Sequence, residues 1–380
     1  MKMKNKRILC LCDTPLQLLN MIHVISSYYD NDLRDLVITD EITNHETLVG
    51  NIRKSRFFEN VFLVKEDYRT TVKKSRLFFK PFALMRYAKR LKSQHDIHTK
   101  YDRIFFWGTS TNLLNSYVAM QTKKNTGCEF IWVDEGTASY STHGLYWKKS
   151  KLQRFLFSSK PSQIIKRILG ANYLSNRIDM QYLYRPEMAD YQVPFERKSI
   201  PYLLGGDSKK TNLLKEIFGF DESNYIKEKY IYFAGAGDVD GLCGNEKELL
   251  ALVAECVGKQ NLLVKVHPRE SVDYYIQNGY HINTNVSIPW EIYCLEKEQL
   301  KDKVLISVFS TAIVSPFVYF GLKTKVVSLM KMFDTTSFSD YYRYLLNFIE
   351  NNIFKKQNDI FLLPNNICEL KKILNGREEQ

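Results

Sequence analysis

Two series of short apolar runs, each run trailed by apolar residues at helical spacing, limit what this chain can fold into more than any other feature. In the first series RILCLC (7–12) leads into PLQLLNMIHVISSYY, LVITD ends at residue 40 and NVFLV spans 60–64. DRIFFWG (102–108) then leads into TSTNLLNSYVAM, which a Thr or Ser can cap, and EFIWVDEG (129–136) meets a loop. A strand buried on both faces reads as a nearly unbroken apolar run, and joining two such strands in parallel needs a crossover helix. The alternation therefore predicts α/β architecture with helices on both faces of a parallel sheet. It weakens between about 182 and 226, where prolines and a Gly pair mark a connection. A second series follows: YIYFAGAG (230–237), the helical NEKELLALVAECVGK (245–259), NLLVKVHP, KVLISVFS (303–310), the helical TAIVSPFVYFG, and TKVVSL (324–329). The chain has 380 residues, too many for one ordinary core. The expectation is two Rossmann-like domains, 1–185 and 227–380, the second with closing helices, joined by 186–226 and facing a central cleft. Ligands of such sheets sit beyond the carboxyl ends of the strands.

Composition narrows the class. No stretch reaches the 18 or so apolar residues that cross a bilayer. The start, MKMKNKRILCLCDTPLQLL, imitates a signal peptide, but Asp13 breaks the apolar run and no small-residue cleavage site follows. The seven cysteines are odd in number, and Cys10-Leu11-Cys12 has no second pair to complete a zinc site. Free thiols in a reducing cytoplasm are the expectation. The net charge of +12 is concentrated in part in 73–92 and 148–167, where cations mix with Phe, Leu and Ile. Such segments suit either a solvated helix face or an anionic surface, with peripheral contact at the inner face of the cytoplasmic membrane the favoured form of the latter. No nucleic-acid reader motif is present, so nucleic acid is not an expected partner.

The candidate chemistry lies at the predicted strand ends. In FAGAGDVDG (233–241), glycines including Gly235 let a backbone approach a ligand, and Asp238 and Asp240 follow in the loop. The spacing is not that of a dinucleotide fingerprint, and an ordinary acidic turn is the plain alternative. VDEGT (133–137) sets Asp134 beside Glu135, and repulsion between neighbouring carboxylates raises a pKa as a general base requires. In KVHPRE, strand alternation sends Lys265 and His267 to one side, Pro268 fixes the turn and Arg269 adds a cation. An imidazole titrates near neutrality and suits proton donation to a leaving oxygen. IPWEIY (288–293) presents Glu291, a carboxylate suited to a vicinal diol or simply to a helix first turn. VFSTA (308–312) places Ser310 and Thr311 at a helix start, fit for an anion or for plain capping. Their order in one Rossmann-like half suits a nucleotide-sugar donor.

Through CDTPLQLLNMI, VDEG, HP at 267–268, PWEIY and FST, the chain resembles the bacterial lipooligosaccharide sialyltransferases of glycosyltransferase family 52. The likeness runs over most of the chain, and its short motifs are shared with other bacterial sialyl- and polysialyltransferases. It implies a GT-B fold, with the first domain on the acceptor side and the second binding the nucleotide sugar. It further implies CMP-sialic acid as donor, no cofactor and no metal. His267 would be the general acid to the departing CMP phosphate, Ser310 and Thr311 would hold that phosphate, Glu291 would bind ribose, and Gly235 would let cytosine approach. Lys265 or Arg269 would pair with donor anions. The base would be Asp240 or Asp238, with Asp134 as fallback because a related family draws its base from the acidic motif.

The expected reaction is inverting transfer to a terminal galactose of lipooligosaccharide or a related surface glycan, with an α-2,3 linkage and a homodimer compatible with the reading. Two alternatives stand beside it: a transferase of the same fold with another nucleotide-sugar donor, and a non-enzymatic protein that binds an anionic polymer or membrane.

Overall fold

The computed structural model describes residues 5–40, 42–64, 101–107, 127–140, 178–203, 208–235, 244–267, 270–283, 285, 287–308, 310–334, 340–357 and 359–375. The basic segments 73–92 and 148–167 lie outside these residues, as do Asp238, Asp240, Pro268 and Arg269. The chain divides into two units, Met1–Pro201 with Asn212–Ile217, and Tyr202–Thr211 with Phe218–Gln380.

The first unit is built on β1 (Arg7–Cys12), α1 (Pro15–Tyr28), β2 (Leu33–Thr39), α2 (His45–Ser55), β3 (Asn60–Val64), β4 (Arg103–Phe106), β5 (Glu129–Val133), β6 (Met180–Leu183) and β7 (Glu196–Ser199). All seven strands are parallel, in the order β3-β2-β1-β4-β5-β6-β7. The central runs are buried almost end to end, as Ile8–Cys12 and Phe130–Val133 show, which is why they are apolar without alternation. Thr14 caps α1 by accepting from the Gln17 amide at 3.3 Å, and Pro15 fits the first helical position, where no amide is needed.

At the amino ends of these strands Asp35 is 0% exposed yet fully partnered. Arg7 donates Nε to Oδ2 at 2.9 Å and Nη2 to Oδ1 at 3.1 Å, Asn60 Nδ2 donates to Oδ1 at 2.9 Å, and the Tyr101 hydroxyl donates to Oδ2 at 2.9 Å. A buried charge held by a guanidinium and two further donors is a structural anchor.

The second unit contains α3 (Ser208–Phe218), shared at the division, then β8 (Tyr230–Phe233), α4 (Glu246–Val257), β9 (Leu262–Lys265), α5 (Asp273–Gln277), β10 (His281–Ile282), α6 (Trp290–Tyr293), α7 (Lys297–Leu300), β11 (Val304–Ser307), α8 (Ser315–Phe320), β12 (Lys325–Ser328), α9 (Asp340–Asn352), β13 (Phe361–Leu362) and α10 (Ile367–Asn375). Its six parallel strands run β10-β9-β8-β11-β12-β13. Each sheet therefore reverses its strand order once, between β1 and β4 and between β8 and β11, and each reversal leaves a crevice at the carboxyl ends of the strands.

The stretch around 182–226, read from sequence as connection, includes β7, which pairs with β6 in the first sheet. Its sequence, ERKS, sits at the sheet edge, where charged residues are favoured because they discourage pairing with another chain. That polarity hides it from an apolar-run criterion.

Candidate functional site

In the second unit the carboxyl edge is tied together by its own strand ends. The Ala234 amide donates to the Lys265 carbonyl at 3.1 Å, joining the end of β8 to the end of β9. Ser307, the last residue of β11, donates its hydroxyl to the Phe233 carbonyl at 2.8 Å and accepts from the Ser310 amide at 2.9 Å. Three adjacent strands thus fix where Gly235, Lys265 and Ser310 emerge. The Gly235 amide donates to Glu246 Oε1 at 2.8 Å, so a first-turn carboxylate of α4 holds this Gly loop in place. Ser310 is the N-cap of the short 3-10 helix Thr311–Val314, accepting from the Ala312 amide at 3.4 Å. The structure shows the capping reading of VFSTA: Ser310 caps, while the half-buried Thr311 opens the helix beside it.

β9 ends at Lys265, Val266 is buried, and the half-buried His267 lies beyond the ladder in a turn closed by the Glu270 amide on the His267 carbonyl at 2.9 Å. Strand alternation therefore extends only to Lys265. The Lys265 ammonium stands 5.7 Å from the centre of the Tyr293 ring, in surroundings that push its pKa down to about 8. Burial is the main cause; attraction to Glu291 acts the other way.

Glu291, on α6, is 5% exposed and accepts from the Ser315 hydroxyl at 2.6 Å. Burial raises its pKa, while the Ser315 hydrogen bond and Lys265 hold part of the rise back. The helix is seated by Trp290, whose ring meets Phe233 edge-on at 4.8 Å, and by Tyr293, whose hydroxyl accepts from Asn283 Nδ2 at 3.0 Å. Gly235, Lys265, Glu291 and Ser310 are thereby gathered against the ends of β8, β9 and β11. A desolvated cation beside a carboxylate and a capping hydroxyl is a setting for an anion bearing a hydroxylated substituent.

Asp134 belongs to the first unit. It is 0% exposed, and its carboxylate accepts from the Tyr140 hydroxyl, from the Gly136 amide at 2.7 Å and from the Tyr184 amide at 3.3 Å. Burial pushes its pKa up to about 6 in spite of these donors. Gly136, at φ +110°, makes the turn that aims its own amide back at this carboxylate. Asp134 is enclosed by the protein, and the more exposed carboxylate of this motif is its half-buried neighbour. Glu135 accepts from Gln17 Nε2 at 3.1 Å and has its pKa raised well above the ordinary range, by burial first and by the charges of Asp13 and Asp134 after it. Gln17 Oε1 in turn accepts from the Asp13 amide at 2.7 Å, and Trp107 Nε1 donates to Asp13 Oδ2 at 3.4 Å. The ends of β1, β4 and β5 therefore converge on Asp13, Trp107 and Glu135, at the reversal point of that sheet. Asp13 and Gln17 were not singled out from sequence. The available signal was position: Asp13 follows its strand as directly as Asp134 follows β5.

Among the described residues, no group of three His, Cys, Asp or Glu is placed to hold a metal ion, and no helix is long and apolar enough to cross a membrane. The described cysteines, Cys10, Cys12, Cys128, Cys256, Cys294 and Cys368, are free thiols.

No protein-family model matches the chain. It is 29% identical over 198 residues to an uncharacterized protein of Haemophilus influenzae, a match covering 49% of this chain and 58% of that protein. The chain thus spans little more than half the length of this relative. Among solved structures it is similar to TcCGT1 in complex with UDP, with a TM-score of 0.51, 10% identity and coverage of 98% and 90% of the two chains. It also aligns with a sialyltransferase from Photobacterium damsela (TM-score 0.49, 14% identity, 94% and 81% coverage). A third match is the UDP-GlcNAc 2-epimerase of Methanocaldococcus jannaschii (TM-score 0.48, 10% identity, 99% and 94% coverage). At such identities the likeness concerns fold alone. With the two parallel sheets, it gives α/β architecture of the GT-B class.

Proposed function

We propose that this protein is an inverting sialyltransferase that moves sialic acid from CMP-sialic acid to a terminal galactose of lipooligosaccharide or a related surface glycan, forming an α-2,3 linkage. The observation that carries the reading is the gathering of Lys265, Glu291 and Ser310 against three adjacent strand ends, with His267 in the turn just beyond β9.

The bond from the sialyl anomeric carbon to the phosphate oxygen breaks as the acceptor oxygen bonds to that carbon from the opposite face. Positive charge that develops on the sugar is tempered by its own carboxylate. His267 gives a proton to the leaving phosphate, while Ser310, Thr311 and Lys265, with Arg269 after the turn fixed by Pro268, bind its oxygens. Glu291 takes the ribose hydroxyls, exchanging or sharing its contact with Ser315, and the backbone at Gly235 faces the cytosine. The acceptor's proton goes to a carboxylate, Asp240 or Asp238 of the loop after β8 or Glu135 of the acidic motif. Acid-base assistance of this kind contributes roughly 10²–10⁴-fold. The acceptors are lipid-linked glycans, reached from the inner face of the membrane.

Thermal shifts with CMP, UDP and GDP test the donor. The proposal expects stabilisation by CMP; stabilisation by UDP alone would move the reading to another nucleotide sugar. CMP affinity should also fall as pH rises through about 8, where Lys265 loses its charge, and this pH dependence should vanish in Lys265→Met.

A further inference from the structure

At the carboxyl edge of the first sheet, Gln17 makes one contact that helix capping explains and one that it does not. Thr14 caps α1, and Gln17 stands at the third helical position, from which a Glu or Gln side chain commonly reaches back to an amide before the helix. Gln17 does so: its Oε1 accepts from the Asp13 amide at 2.7 Å. A backbone N–H only donates, so this bond assigns the oxygen of the side chain and leaves Nε2 as its other end. Nε2 donates to Glu135 Oε1 at 3.1 Å, which ties α1 to the loop after β5. Glutamate would serve the Asp13 amide equally well. Ionised, it could not donate to Glu135 and would set a further carboxylate against it. Capping accepts either residue, whereas the second contact requires the amide.

Gln17 is 1% exposed, and these two hydrogen bonds use both ends of its amide. Glu135 is held twice: its own amide donates to Ser139 Oγ at 2.9 Å, and Gln17 engages Oε1 of its side chain. Oε2 has no hydrogen-bond partner among the described residues. Asp13, after β1, and Asp134, beside it, are the charges that face Glu135. Trp107, after β4, reaches this group through Asp13 Oδ2, and Asp134 is held by the Tyr140 hydroxyl and the Tyr184 amide. Burial and both neighbouring charges raise the proton affinity of Glu135, and the hydrogen bond from Gln17 works against that rise.

We propose that Gln17 is a positioning residue for Glu135, engaging Oε1 so that Oε2 is the oxygen that meets a ligand hydroxyl. On the transfer reading that hydroxyl is the acceptor's. Its proton passes to Oε2 as the acceptor oxygen bonds to the anomeric carbon and the bond to the leaving phosphate breaks. The inference rests on that reading for this step alone, and there it makes Glu135 the base in place of Asp238 or Asp240.

The test uses the full chain with Gln17→Met, which loses both contacts, and Gln17→Glu, which keeps the cap and loses the donor. Infrared difference spectra against the matching Glu135→Gln background follow the protonation of Glu135 without any substrate. Glu135 should take up its proton at higher pH in Gln17→Met than in wild type, and at higher pH still in Gln17→Glu, where two carboxylates share the site. With CMP-sialic acid and lactose, transfer by Gln17→Met at neutral pH should fall about tenfold, the scale of one hydrogen bond to a charged group. The loss should be recovered as pH rises, since the acid-side fall in rate moves with the titration. A side chain that served the cap alone would shift neither. An unchanged Glu135 titration in both variants overturns the positioning role, and a moved titration with an unmoved pH–rate profile overturns Glu135 as the base. Wild-type protein that transfers nothing from CMP-sialic acid sinks the donor reading instead and leaves the infrared result to decide the role of Gln17.

Discussion

Asp35 and Asp134 are equally hidden from water, 0% exposed each, and sit at opposite edges of the same sheet. Asp35 has Arg7 against both carboxylate oxygens, with Asn60 and Tyr101 completing its set. Asp134 has a phenol and two backbone amides, and its pKa rises to about 6. The amino edge neutralises its buried charge internally. At the carboxyl edge the carboxylates, Asp134 and Glu135, keep their protons more tightly than carboxylates in water do. The carboxyl edge of the second unit is alike: Lys265 and Glu291 emerge there, both shifted toward neutrality by burial. In the first sheet the amino edge closes its buried charge within the fold, and the carboxyl ends of both sheets hold ionisable groups that burial shifts toward neutrality.

The largest effect should come from breaking the closed amino edge. Asp35→Ala strands the Arg7 charge and should cost about 3–5 kcal/mol, read as a drop in denaturation midpoint, while the folded fraction keeps its CMP affinity. Replacing a carboxylate of the carboxyl edge should do the reverse. Glu135→Gln, which removes a carboxylate whose charged form burial disfavours, should not lower the midpoint at neutral pH, and if Glu135 is the base it should slow transfer by roughly 10²–10⁴-fold. Equal losses of stability in the two variants would erase the contrast.

Asp134 sharpens the contrast through pH. Its folded pKa of about 6 lies above the ordinary value of 3.8, so between those values the folded state holds more proton than the unfolded. Stability should therefore fall as pH rises from about 4 to 6, by about 3 kcal/mol at 1.36 kcal/mol per unit. Asp134→Asn should remove that slope. A smaller loss of stability than at Asp35 is expected at Ser315→Ala, which takes one donor from Glu291 and should cost about 1–3 kcal/mol at neutral pH. The loss should shrink at low pH as Glu291 takes up its proton.

Much of the frame was legible because it follows from period and burial. RILCLC, EFIWV and KVLIS are apolar throughout because both faces are covered, and the structure makes each the body of a parallel strand. β7 and the two-residue β13 escaped because edge pairing is available to polar or very short segments. At the site, the motif letters marked the correct strand ends, but not which side chain of a pair faces outward. Asp134 and Glu135 are adjacent in sequence, and only the turn at Gly136 decides that the first is enclosed by Tyr140 and Tyr184 while the second meets Gln17. The anchor of Gly235 on Glu246, eleven residues away, was equally out of reach of local pattern.

The proposed transfer requires that the carboxyl edge of the second sheet bind a CMP-linked sugar and that the imidazole of His267 protonate the departing phosphate. Its most direct test is to incubate the protein with CMP-sialic acid and a panel of lactosides, identify the product by mass and NMR, and repeat the reaction with His267→Ala. The expected result is an inverted sialyl-galactoside released with one CMP per turnover, and a variant that still binds CMP but transfers at least a hundredfold more slowly. No transfer by the wild-type protein to any lactoside, or a variant as fast as wild type at every pH, would contradict it.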